Sequence, residues 1–140
     1  MSSRLFLKLR EEMGLAYEVS SFFPTRLQPS EWVVYLGLPK ERLAVAAKKL
    51  NDMLRDLVRR GVEAAEVRQA KQMIKGSYIM EHQLRRRQAW YGAWWEFLGR
   101  EPGYDRRFFN EVDRVTPKAI AAVAEELLAQ PRVTVEVISK

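Results

Sequence analysis

Arg10 and Tyr17 are the two residues of the N-terminal stretch whose types and spacing suit chemistry. They stand seven positions apart, on either side of Gly14. A guanidinium offers five N–H donors and a phenol one O–H donor, a pair suited to a carbonyl or carboxylate oxygen. The plain alternative is a solvated helix charge and a half-buried strand aromatic. The choice between these readings depends on the elements that carry the two side chains.

Those elements read clearly. Ser2 or Ser3 can accept hydrogen bonds from the free amides of a first helical turn. Leu5, Phe6, Leu9 and Met13 recur at helical spacing and form one apolar stripe. Arg10 lies off that stripe, in the last turn. Gly14 can take the left-handed conformation that ends a helix. Ala16 to Phe23, rich in aromatic and β-branched residues, then reads as a strand. A helix–glycine–strand turn can bring Arg10 and Tyr17 near each other.

The run Ser2-Ser3-Arg4-Leu5-Phe6 through Leu9-Arg10-Glu11 to Gly14-Leu15-Ala16-Tyr17 resembles a known signature. It is that of the second domain of the inverted-motif zinc metallopeptidases, the group of pitrilysin, insulin-degrading enzyme and mitochondrial processing peptidase. Gln69-Ala70-Lys71-Gln72-Met73-Ile74-Lys75-Gly76 resembles a further family motif on a long helix. Val115-Thr116-Pro117 before a final helix is similar too. The resemblance implies that Arg10 and Tyr17 are a substrate-contacting pair. Arg10 would hold a substrate carbonyl, and Tyr17 would bond the oxygen that becomes negative in the tetrahedral state.

The chemistry of hydrolysis itself is missing. The family's zinc site needs H-x-x-E-H, with two histidines on one helix face and a glutamate that activates water. This chain has one histidine, His82, and no cysteine. Adjacent Glu81 and His82 point to different sides of a helix, and His82 reads as a surface or packing residue. No catalytic residue and no bound cofactor are therefore expected on this chain alone. The resemblance implies a zinc-bearing partner, as another domain of the same polypeptide or a separate subunit, and an extended peptide as substrate.

The 140 residues, 47% of them hydrophobic, suffice for one domain, taken as residues 1–140. No run approaches the roughly 20 apolar residues of a membrane span. The N-terminus has no apolar run of signal-peptide length, and the compartment stays open between cytoplasm and periplasm. The net charge of +6 permits a nucleic-acid partner without requiring one. Arg85-Arg86-Arg87 would spread around a helix rather than form a patch, so none is expected.

In chain order, Pro24 to Ser30 is a turn region, and Glu31 to Leu38 a second strand, paired as a hairpin with the first. That strand is apolar on both faces, which suggests cover on both sides or a partner. A helix follows from Pro39 to about Arg60, ended by Gly61. A long helix runs from about Ala64 to Leu98, with Gly76 as a candidate bend or close helix approach. Ala70, Met73, Ile74 and Ser77 are expected inside, and Trp90, Trp94, Phe97 and Leu98 as a core stripe. Tyr104 to Val112 is a short helix. Thr116 caps the next one, with Pro117 at its first position, and Val133 to Ile138 is a last strand.

The result is an α+β arrangement, an antiparallel sheet with helices packed on one face. The resemblance implies a half-domain like that of mitochondrial processing peptidase, without the strands that open the family's domain. An open sheet edge implies self-association. The alternative functions are a structural or assembly domain of the same fold, and a basic nucleic-acid binder.

Overall fold

The computed structural model describes residues 3–23, 31–101 and 103–138. They fall into two compact units, residues 1–60 with 123–140 and residues 61–122. The α+β expectation holds: the described residues are mostly helical, with one small antiparallel sheet among them.

The first helix, α1, begins as an α-helical turn, Arg4–Phe6, and continues as a π-helix, Leu7–Glu12. Ser3 caps it: its Oγ accepts the Phe6 amide at 3.2 Å. The exit is wide. Met13 N donates to Lys8 O, and Leu15 N and Ala16 N both donate to Leu9 O. A π turn inserts a residue into the helical repeat. Leu9 therefore points into the core and is fully buried, while Met13, one α-turn further on, is carried out into solvent. The expected stripe is broken there. Gly14 takes the left-handed backbone at φ 56° and ends the helix, as its position predicts.

The hairpin follows. Strand β1, Glu18–Phe22, pairs antiparallel with β2, Val33–Gly37, in the register Ser20 opposite Tyr35. The connection expected at 24–30 lies outside the described residues. A 3-10 turn, Lys40–Arg42, leads into α2, Leu43–Arg60. Leu9, Leu15 and Ala46 form the buried centre, flanked by Leu5, Val19, Leu36, Leu38 and Met53. Thus α1 and α2 share one face of the sheet. The other face is open, with Phe22 and Tyr35 exposed. Of the two readings of the second strand, cover on both sides or a partner, the described residues do not supply the first.

The second unit is helical. Helix α3, Ala64–Glu81, is followed by α4, Arg85–Phe97, and α5, Tyr104–Arg114. The last helix, α6, Pro117–Ala129, starts in this unit and ends in the first; Thr116 Oγ1 accepts the Ala119 amide at 3.1 Å. Lys75 Nζ lies 2.6 Å from both carboxylate oxygens of Asp113, and Lys71 Nζ donates to the Asp113 carbonyl at 2.7 Å. These bonds tie α3 to α5.

Three expectations fail here. The long helix breaks at His82–Leu84 rather than at Gly76, which has open space around it. The break is made by side chains. His82 Nδ1 donates to the Tyr78 carbonyl at 2.8 Å, Gln88 Nε2 donates to the His82 carbonyl at 2.7 Å, and Tyr91 donates to Glu81. Ala70, Met73, Ile74 and Ser77 are exposed; Val67 and Tyr78 are the buried residues of α3. Trp90, Trp94 and Phe97 stack on one another at 5.5 Å between successive rings, yet Trp90 and Phe97 stay largely exposed.

Two aromatics of α4 pack against the other helices of the unit, Tyr91 and Trp95, the latter on Tyr104 at 4.8 Å. Tyr78 stacks on His82 at 3.9 Å and on Phe108 at 4.3 Å, and His82 stacks on Tyr91 at 4.3 Å. His82 is thus a packing residue. Asp105, in the first turn of α5, accepts from the Tyr78 hydroxyl and from Trp95 Nε1, the latter at 2.6 Å.

Burial and the bond to Asp105 push the Tyr78 phenol well above the tyrosine range. Burial and the bond to Glu81 push Tyr91 up to about 12. Both groups hold their proton more tightly folded than unfolded. Their contribution is therefore full below about pH 10, where a free phenol titrates, and for Tyr91 is lost as pH rises through about 12. Unfolding midpoints measured from pH 9 to pH 12 should fall less steeply in Tyr91→Phe than in the parent. Parallel curves would contradict this.

The last expected strand is not formed. Residues 131–138 lie in no regular element, and Val133, Val135 and Val137 are 88, 80 and 93% exposed. A strand needs a neighbour to satisfy its backbone. β1 and β2 pair with each other, and the described residues include no third strand.

Candidate functional site

The site expected around Gly14 is built from the π-helix, the glycine turn and the end of the hairpin. Arg10 sits inside the π-helix, where local widening re-aims side chains and often accompanies function. Its guanidinium lies 4.9 Å from the centre of the Phe6 ring and its Nε 3.8 Å from Glu11 Oε1. The side chain remains 46% exposed. An exposed pair at that distance contributes little to stability, so Arg10 keeps donors facing solvent.

Tyr17 stands just before β1. Its amide donates to the Gly37 carbonyl at 2.9 Å, which fixes its backbone to the end of β2. The residue is 66% exposed. Its ring lies against Gly37: a Cβ at that position would meet ring carbons at 2.7 and 2.9 Å and the hydroxyl at 3.1 Å. Among the described residues no hydrogen bond joins Arg10 to Tyr17. Each is held from its own side of the Gly14 turn, and both side chains are exposed.

Two further residues shape this turn. The Arg42 guanidinium donates to the Gly14 carbonyl, tying the glycine turn to the start of α2. Nothing in the sequence marks Arg42, since the contact spans 28 positions. Gly37 does carry a sequence signal. A glycine inside a strand weakens it and marks a close approach.

The donor set does not fit zinc. Structural and catalytic zinc sites need at least three nitrogen, sulfur or carboxylate ligands from the protein. The sequence has one histidine and no cysteine. Among the described residues no three His, Asp or Glu side chains come together as a metal site. His82 Nε2 is buried without a hydrogen-bond partner, 3.6 Å from Asp105 Oδ1, and no third ligand joins them. Nor is any helix among these residues long and apolar enough to cross a membrane.

Comparison with known proteins agrees with this division. The family profile described as "Peptidase M16 inactive domain" matches residues 1–74, which hold α1, the Gly14 turn, both strands and α2. The chain is 27% identical over 131 residues to the uncharacterized zinc protease YmxG of Bacillus subtilis (strain 168), covering 93% of this chain and 32% of that protein. An uncharacterized zinc protease of Mycobacterium leprae is 29% identical over 134 residues, 91% of this chain and 29% of its own length. One from Mycobacterium tuberculosis (H37Rv) is 28% identical over 131 residues, 93% and 30%. The chain therefore spans about a third of the length of these curated relatives. It belongs to the M16 peptidase family, as its inactive, non-catalytic domain.

Proposed function

We propose that the chain is the substrate-binding half of a zinc metalloendopeptidase, supplying Arg10 and Tyr17 to a site whose zinc is held by a partner domain or subunit. The supporting observation is the turn itself. A π-helix and a glycine at φ 56° leave two hydrogen-bond donors exposed on the two sides of one short turn, within the stretch that matches the inactive domain.

Each group has a distinct part. Arg10 binds and orients an extended peptide by donating to a backbone carbonyl. Tyr17 donates its hydroxyl to the reacting carbonyl oxygen as negative charge develops there. A preorganised donor of this type acts mainly on the transition state, where the oxygen is most negative.

The test is reconstitution. This chain and a zinc-bearing half of the family are assayed separately and together on an unstructured peptide. The mixture cleaves, and this chain alone does not. A mixture no faster than the zinc half alone would support a structural or assembly role instead.

Self-association is a second expectation. The unpaired segment Val133–Ile138 alternates apolar and polar positions through Glu136 and lies exposed, and the outer edges of β1 and β2 are unpaired within the described sheet. Exposed strand edges template pairing between chains. Sedimentation should give a concentration-dependent dimer, with Val135→Lys shifting it to monomer. A monomer at all concentrations would contradict this.

A further inference from the structure

We propose that Gly37 is a positioning residue for Tyr17, its missing side chain forming the seat on which the phenol rests. The inference rests on the substrate role proposed above for Tyr17 and names what holds that group in place.

Four glycines of the chain, Gly14, Gly61, Gly99 and Gly103, take positive φ, which accounts for them by backbone need alone. Gly37 is different. It lies at the end of β2 with φ outside that region, a conformation open to any residue. Glycine in a strand also gives up conformational order and packing. Something other than the backbone therefore favours glycine here, and the neighbour that a Cβ would strike is the outer edge of Tyr17, its Cε2, Cζ and hydroxyl. Contacts of 2.7 and 2.9 Å are inside van der Waals separation. The Tyr17 amide bonded to the Gly37 carbonyl holds the two backbones together, so the chain cannot relieve the clash by parting. The ring is the group that can yield, because it is two-thirds exposed. A methyl group at residue 37 thus leaves the hairpin standing and swings the phenol off its seat.

Loss of the seat matters because the hydroxyl works by direction. A donor displaced by about 1 Å from the reacting oxygen can cost roughly a hundredfold in rate. Gly37→Ala should then act through Tyr17 and through nothing else.

Two measurements test this. By NMR on this chain, the Gly37 α-proton resonances are displaced by the ring current of Tyr17, and they move toward unperturbed positions in Tyr17→Leu. Resonances that stay put would overturn the seat. In the reconstituted peptidase, Gly37→Ala lowers kcat at least about tenfold in the parent and has no further effect in Tyr17→Phe, with the unfolding midpoint near that of the parent. Independent, multiplying losses would make Gly37 a structural residue and overturn the inference. Tyr17→Phe without effect on kcat, together with displaced Gly37 resonances, removes the substrate role of Tyr17 and leaves the seat standing.

Discussion

Tyr17→Phe should lower peptide turnover by the reconstituted peptidase about a hundredfold while leaving the stability of this chain nearly unchanged. The size comes from the chemistry of acyl transfer. Removing one hydrogen-bond donor from the developing oxyanion costs about 2.7 kcal/mol of barrier or more in a water-poor site, a hundredfold at the low end. The selectivity comes from the position of the hydroxyl. Tyr17 is largely exposed, its ring rests on Gly37, and its tie to the fold is the backbone bond to the Gly37 carbonyl, which phenylalanine keeps. Fluorescence-quenched peptide cleavage and thermal unfolding measure the two halves of the claim. Arg10→Ala should lower turnover at least about tenfold by removing the donor that orients the peptide, and the fold loses little, since its other neighbours are Phe6 and the Glu11 carboxylate at 3.8 Å. Arg10→Lys should restore little, because an ammonium cannot reproduce the planar fork. Rates unchanged in both Tyr17→Phe and Arg10→Ala would remove the functional claim.

Asp105→Ala should cost the helical unit about 3 kcal/mol. One carboxylate oxygen accepts from both the Tyr78 hydroxyl and Trp95 Nε1. Bonds to a charged acceptor contribute about 1.5–3 kcal/mol each, and donors left buried without one add their desolvation cost. Asp105 is about one-third exposed, so the lower part of the combined range applies. Asp105→Asn keeps one acceptor oxygen and should lose about half as much. Denaturant unfolding followed by the fluorescence of Trp90, Trp94 and Trp95 gives the free energies. The Tyr78 phenol supplies an independent check. Its upward shift comes first from burial and then from Asp105, so its titration should move down in Asp105→Ala. A stable variant with an unmoved Tyr78 would contradict the network.

The parts of this fold that sequence reasoning reaches are those decided by nearest neighbours. Ser3, Thr116 and Pro117 cap helices where their types put them, and Gly14 and Gly61 end helices with positive φ. The hairpin follows from two runs of β-branched and aromatic residues. What was not readable depends on partners distant in sequence. No residue type announces a π-helix. At Leu7–Glu12 it forms where Leu9 takes the centre of the core and its carbonyl receives two amides. The break at His82 has no glycine or proline to mark it. It exists because an imidazole stacks between two tyrosines and bonds back to its own helix. Apolar spacing favours Trp90 and Trp94 over Trp95, because it cannot tell which aromatic finds Asp105. Val133 to Ile138 alternates as a strand should, but alternation makes a strand only where a partner edge is present. At the site, the Gly14 turn between Arg10 and Tyr17 is local and readable; the Arg42 bond to the Gly14 carbonyl spans 28 positions, and a glycine in a strand marks Gly37 without naming the ring that meets it.

The most direct measurement is an NMR titration of this chain with an extended, unstructured peptide. The account predicts that the backbone amides of Arg10, Gly14, Tyr17 and Gly37 shift together with one saturating dissociation constant, and that Arg10→Ala weakens it. Shifts confined to the helical unit, or none at peptide concentrations that saturate the reconstituted enzyme, would contradict it.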